Sequence, residues 1–117
     1  MNIFRTLSSE IEADDAIISI NNLETSMGHW GNEKSVLTFA QKINMAFFDS
    51  SKEDLGGRIF NLLLELRKDN PKINKIIICN DYKYIIVSNI RNFTPDNFLK
   101  RTVEVVNKKL DRKVLLT

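Results

Sequence analysis

Residues 73–79 read Ile-Asn-Lys-Ile-Ile-Ile-Cys, an apolar run rich in β-branched side chains. Such side chains are stiff at χ1 and pack well on a pleated surface, so the run predicts a buried strand. Asn80 and Asp81 follow. Both residue types tolerate positive φ and supply turn chemistry. Residues 82–88 then return as a second β-branched stretch, Tyr-Lys-Tyr-Ile-Ile-Val-Ser. A hairpin over 73–88 is therefore the firmest constraint on the fold.

Helices are expected on both sides of this hairpin. Val36, Phe39, Ala40, Ile43 and Phe47 form one apolar stripe, with Asn32 placed as its N-cap. Leu55, Ile59, Leu62, Leu63 and Leu66 form another, opened by Ser51 and the acids Glu53 and Asp54. Asn70 followed by Pro71 ends it, because proline disfavours helical geometry in the residue before it. Gly56 and Gly57 conflict with that helix, since each costs about 1 kcal/mol relative to alanine. Ile3, Phe4, Leu7 and Ile11 predict a short helix over 2–13, and Thr94, Pro95 and Asp96 open one over 95–111. Its inner face is expected to hold Phe98, Leu99, Thr102, Val106 and Leu110. Residues 16–20 and 114–116 read as short strands, and residues 21–32 as a loop.

The order α-β-α-α-β-β-α-β predicts an α+β fold. We expect a single compact domain over 1–117, with a small antiparallel sheet (the hairpin 73–88 plus short strands) packed with about four helices. A chain of 117 residues with 43% hydrophobic and 27% charged residues can bury one core without staples. No apolar run approaches the roughly 20 residues that span a bilayer. The N-terminal sequence lacks the apolar stretch of a signal peptide, and the single cysteine suits a reducing compartment. A cytoplasmic location with no membrane partner is expected. Asn, Lys and Ile are abundant, a style associated with AT-rich coding sequences of some bacteria and mobile elements.

Charge is divided along the chain. Residues 1–66 hold ten acids and five bases, a net of −5, whereas residues 67–117 hold five acids and twelve bases, a net of +7. Two electrostatic faces favour charge-guided association. The densest acidic cluster is Glu10, Glu12, Asp14 and Asp15, and the adjoining loop carries Gly28, His29, Trp30 and Gly31. A tryptophan between glycines either anchors an interface or folds back onto the core. The acids are either a contact surface for a basic partner or a solvated helix end.

Most enzyme templates fail. One Cys and one His, fifty residues apart, do not make a zinc site. A nucleophilic pair of Cys79 and His29 is conceivable, but Cys79 sits in an apolar strand and reads as a core residue. No phosphate-binding glycine motif stands between a strand and a helix. The acidic cluster lacks the alternating oxygens of a calcium loop. No cofactor and no metal are expected. Lys100, Arg101, Lys108, Lys109, Arg112 and Lys113 form a basic C-terminal region, but Glu104 and Asp111 interrupt it and no nucleic-acid recognition motif accompanies it.

By elimination the expectation is a non-catalytic domain that binds another protein. Its most concrete form is a small bacterial or phage inhibitor, an immunity protein that occludes a basic toxin such as a nuclease. Glu10, Glu12, Asp14, Asp15 and Trp30 are the expected partner-binding residues, and an acidic surface would mimic the toxin's phosphate substrate. The alternatives are a nucleic-acid-binding module using the basic C-terminal half, or a small enzyme without a recognisable motif.

Overall fold

A computed structural model describes residues 12–48, 55–81, 83–93 and 103–107. Within them the chain forms β1 (Asp15–Ser19), β2 (Glu24–Met27), α1 (Glu33–Phe48), α2 (Leu55–Asp69), β3 (Lys75–Cys79), β4 (Lys83–Val87) and β5 (Val103–Asn107). The strands make one five-stranded sheet in the order β2-β1-β3-β4-β5. The fold is α+β, as expected.

The hairpin of β3 and β4 forms, with Ile76 opposite Val87 and Cys79 opposite Tyr84. Its turn does not use positive φ at Asn80 or Asp81, since Leu23 and Asn89 are the positive-φ residues described. Instead the Lys83 amide donates to Asn80 Oδ1 at 2.7 Å, and the Asn80 amide donates to the Lys83 carbonyl at 3.0 Å. A side-chain oxygen thus replaces part of the backbone turn.

Four expectations are corrected. The sheet is mixed and not antiparallel throughout, because β1 runs parallel to β3, with Asp15 beside Lys75 and Ser19 beside Cys79. Parallel neighbours need a long crossover, and β2, α1 and α2 supply it. The expected loop over 21–32 contains β2, an edge strand paired antiparallel to β1. The expected helix over 95–111 is replaced at Val103–Asn107 by β5, which pairs with β4 from Val87 opposite Val103 to Lys83 opposite Asn107. Among the described residues there are two helices and not about four. The expected helical residues 2–11, the Ser51 cap, the Thr94 helix start and the strand at 114–116 lie outside the described residues.

Both helices lie on one face of the sheet. Val36, Phe39, Ala40 and Ile43 of α1 and Ile59, Leu63 and Leu66 of α2 join Ala16, Ile18, Ile76, Ile78, Ile85 and Val87 in one buried core. These strand residues alternate, as a pleat requires. Their neighbours Ile17, Ile77, Cys79 and Tyr84, on the other face, are buried as well. A strand buried on both faces shows no polar alternation, which is why β3 reads as a continuous apolar run.

The start of α1 and the end of α2 are built as expected. Asn32 Oδ1 accepts from the Ser35 amide at 3.1 Å and caps α1. Asn70 ends α2 but does more than stop it. Wholly buried, it accepts from the Asn32 amide at 2.6 Å and donates to the Leu66 carbonyl at 3.0 Å and to Ser35 Oγ at 3.3 Å. One side chain therefore ties the end of α2 to the start of α1. Gly56 and Gly57 are both helical, within α2.

Candidate functional site

The segment leading into β1 is where the expected site residues meet. The Asp15 amide donates to the Glu12 carbonyl at 3.0 Å, closing a turn over residues 12–15. Three other parts of the chain hold that turn. The Asn74 amide, ahead of β3, donates to the Asp14 carbonyl at 3.0 Å. Arg91, beyond β4, pairs with Asp14 at 3.4 Å. Trp30, between β2 and α1, donates its indole N–H to the Ala13 carbonyl at 2.5 Å.

The two aspartates at 14 and 15 differ in surroundings. Asp15 opens β1 and Lys75 opens β3, and parallel neighbours put those first residues side by side. Their carboxylate and ammonium lie 3.6 Å apart, with the Asp15 side chain only 6% exposed and that of Lys75 38%. The Glu12 amide also donates to Asp15 Oδ2 at 3.4 Å. Asp15 thus serves the internal junction of β1 and β3. Asp14 keeps 41% of its side chain in solvent beside an equally exposed Arg91. Glu12 is exposed. Glu10 lies outside the described residues.

Trp30 is half-buried and packs against the edge of the core, so its ring is a satellite of that core as well as part of the corner. Gly28 is required by this approach: a Cβ there would lie 2.6 Å from the indole and 2.9 Å from the Ala13 carbonyl. Packing around the indole thus explains Gly28, whereas a Cβ at Gly31 would meet the Met27 side chain and Asn70 Oδ1. His29 between them is exposed.

The register removes the nucleophilic pair considered above. His29 follows the end of β2, level with Ala16, whereas Cys79 lies level with Ser19 at the other end of β1. Three residues of strand separate the two levels, roughly 10 Å. Cys79 is buried. Among the described residues no three His, Cys, Asp or Glu side chains gather as a metal site would require. No described helix is long and apolar enough to cross a membrane.

A second surface was not foreseen. The outer side of the helix pair carries two adjoining hollows, of about 270 and about 430 Å³, which share Lys42, Leu62 and Glu65. Together they make a groove floored by Phe39, Leu62 and Leu66. Met45 lines one end of it and is 60% exposed. The signal was present in sequence as polar residues at helical spacing, but only the packing of α1 against α2 sets them opposite one another.

No protein-family model matches this chain, and neither a curated protein nor a solved structure is detectably similar to it.

Proposed function

We propose that this chain is a non-catalytic protein-binding domain, and in its most concrete form a small cytoplasmic inhibitor of a basic bacterial or phage toxin, such as a nuclease. The observation that supports this reading is the braced corner. Glu12 and Asp14 sit on a turn whose backbone is held by Trp30 and Asn74, so both side chains project from a fixed backbone, and Asp14 stays 41% exposed beside its partner Arg91. A fixed acidic surface loses little freedom on binding and steers a basic partner during approach. Glu12 and Asp14 contact the partner in this proposal, the exposed edge of Trp30 adds an apolar contact, and Asp15 holds the corner from within.

The test starts with capture of the partner from native cells on immobilised protein, followed by association kinetics. Charge reversal at Glu12 and Asp14 to Lys is expected to slow association, and added salt to weaken it, because steering is screened within about 10 Å at 0.1 M salt. Reversal of Lys108 and Lys109 to Glu is expected to leave the rate unchanged. The opposite pattern, with nucleic acid bound on a steep salt slope through Lys108 and Lys109, would replace this reading by the nucleic-acid-binding alternative.

A further inference from the structure

We infer that the outer groove between α1 and α2 is a self-association surface, filled by the same groove of a second copy of this chain. The inference goes beyond the binding function above and uses none of Glu12, Asp14 or Trp30.

Between the levels of Lys34 and Lys42 the groove has two walls of opposite charge, and Arg58 of α2 adds a cation at the Met45 end. Lys34 and Lys42 line it from α1, while Glu65 and Asp69 line it from α2. The spacings of eight and four residues keep each pair on one helical face. Ser35 Oγ donates to Asp69 Oδ2 at 3.2 Å, so the start of α1 meets the end of α2 and the helices run antiparallel. Lys34 thus stands near the level of Asp69, and Lys42 near that of Glu65. Among the described residues, none of these four charges is in an ion pair. The groove between them has an apolar floor at Leu62 and an exposed Met45 at its end.

Symmetry makes a second copy the fitting occupant. A two-fold axis along the groove turns one copy over and lays its α1 on the α2 of the other at the same height. Lys34 then faces Asp69 and Lys42 faces Glu65 of the second copy, and each contact occurs twice. Met45 of each copy meets the region of Leu62 in the other. The stem of Arg58, at the same end of the groove, can lie along that methionine with its guanidinium in water. An axis across the groove would set α1 on α1 and lysine on lysine, which the charge pattern disfavours. A different partner would have to reproduce both walls independently, whereas an identical chain supplies them by construction. The expected contact is small and weak, with a dissociation constant in the micromolar range.

Sedimentation equilibrium of the full chain tests this. The wild type is expected to dimerise with concentration, less so in high salt. Lys42→Glu and Glu65→Lys, each at an exposed helix position, should stay folded by circular dichroism, and each should weaken dimerisation by about tenfold or more. An equimolar mixture of the two variants is expected to recover the dimer, because the acidic α1 of one meets the basic α2 of the other. A wild type that stays monomeric through the millimolar range overturns the inference. So do single variants that dimerise as tightly as the wild type, or a mixture that shows no recovery.

Discussion

The corner at the start of β1 and the groove outside the helix pair are built from the same kinds of charged residue, put to opposite uses. At the corner, acids from the first half of the chain meet bases from the second: Asp15 with Lys75, Asp14 with Arg91. In the groove, Lys34, Lys42 and Glu65 have no ionic partner among the described residues and face outward. The corner therefore uses much of its charge to hold strands and loops together. The groove keeps its charge available for another molecule.

The largest expected effect lies beneath both regions and sets the scale for the others. Leu63 is wholly buried between the helices and the sheet. Leu63→Ala should cost about 2–5 kcal/mol in denaturant unfolding, through lost burial and the cavity left behind. A loss of a few tenths would show that the helix pair is not anchored through this face.

Asn70 comes next, because it ties the end of α2 to the capped start of α1 beside the groove. Asn70→Ala removes the acceptor of the Asn32 amide and the donor to Ser35 Oγ. The cost should be about 1–3 kcal/mol, the range for a buried polar group left without a partner. Hydrogen exchange should show the start of α1 opening faster while the β3 and β4 amides stay protected.

A pair of double-mutant cycles separates the two halves of the corner. Coupling between Asp15 and Lys75 should reach about 1–2 kcal/mol, since one partner is buried while the other is partly solvated. Coupling between Asp14 and Arg91, both well exposed, should fall below about 1 kcal/mol. Equal couplings would erase the distinction between an internal and a presented carboxylate.

The smallest effect on stability is expected in the groove. Lys42→Gln removes an exposed charge with no ionic partner among the described residues and should change unfolding free energy by no more than about 0.5 kcal/mol. A large loss would mean that the charge already serves the fold, and the contrast with the corner would fail.

Local pattern made much of the fold legible. The β-branched runs gave β1, β3 and β4, the stripe from Val36 to Phe47 gave α1, and Asn32 and Asn70 marked helix boundaries. β2 was not legible. Glu24, Thr25, Ser26 and Met27 have no apolar alternation, and Leu23, at φ 51°, fills a left-handed position where a turn signal would place Gly or Asn. β5 was misread because Thr102 and Val106 fit a helical stripe as well as Val103 and Val105 fit a strand, and only pairing with β4 decides between them. Of the corner, the acidic residues and Trp30 were legible as candidates. The difference between Asp14 and Asp15 was not, because their partners lie some sixty to eighty residues away.

By itself the sequence determined most of the helix and strand segments, where α1 begins and α2 ends, and that acid and base are divided between the two halves. These follow from side-chain shape, local hydrogen bonding and composition, which act over a few residues. Tertiary structure decided which charges neutralise one another and which remain outward. The parallel pairing of β1 with β3 brings the first residues of two distant strands side by side, and that contact sets Lys75 on Asp15. The antiparallel packing of α1 on α2 instead opposes two charged walls across a gap. Ionic contact falls off over a few ångströms, so its pattern is fixed by chain topology and is absent from the order of residues alone.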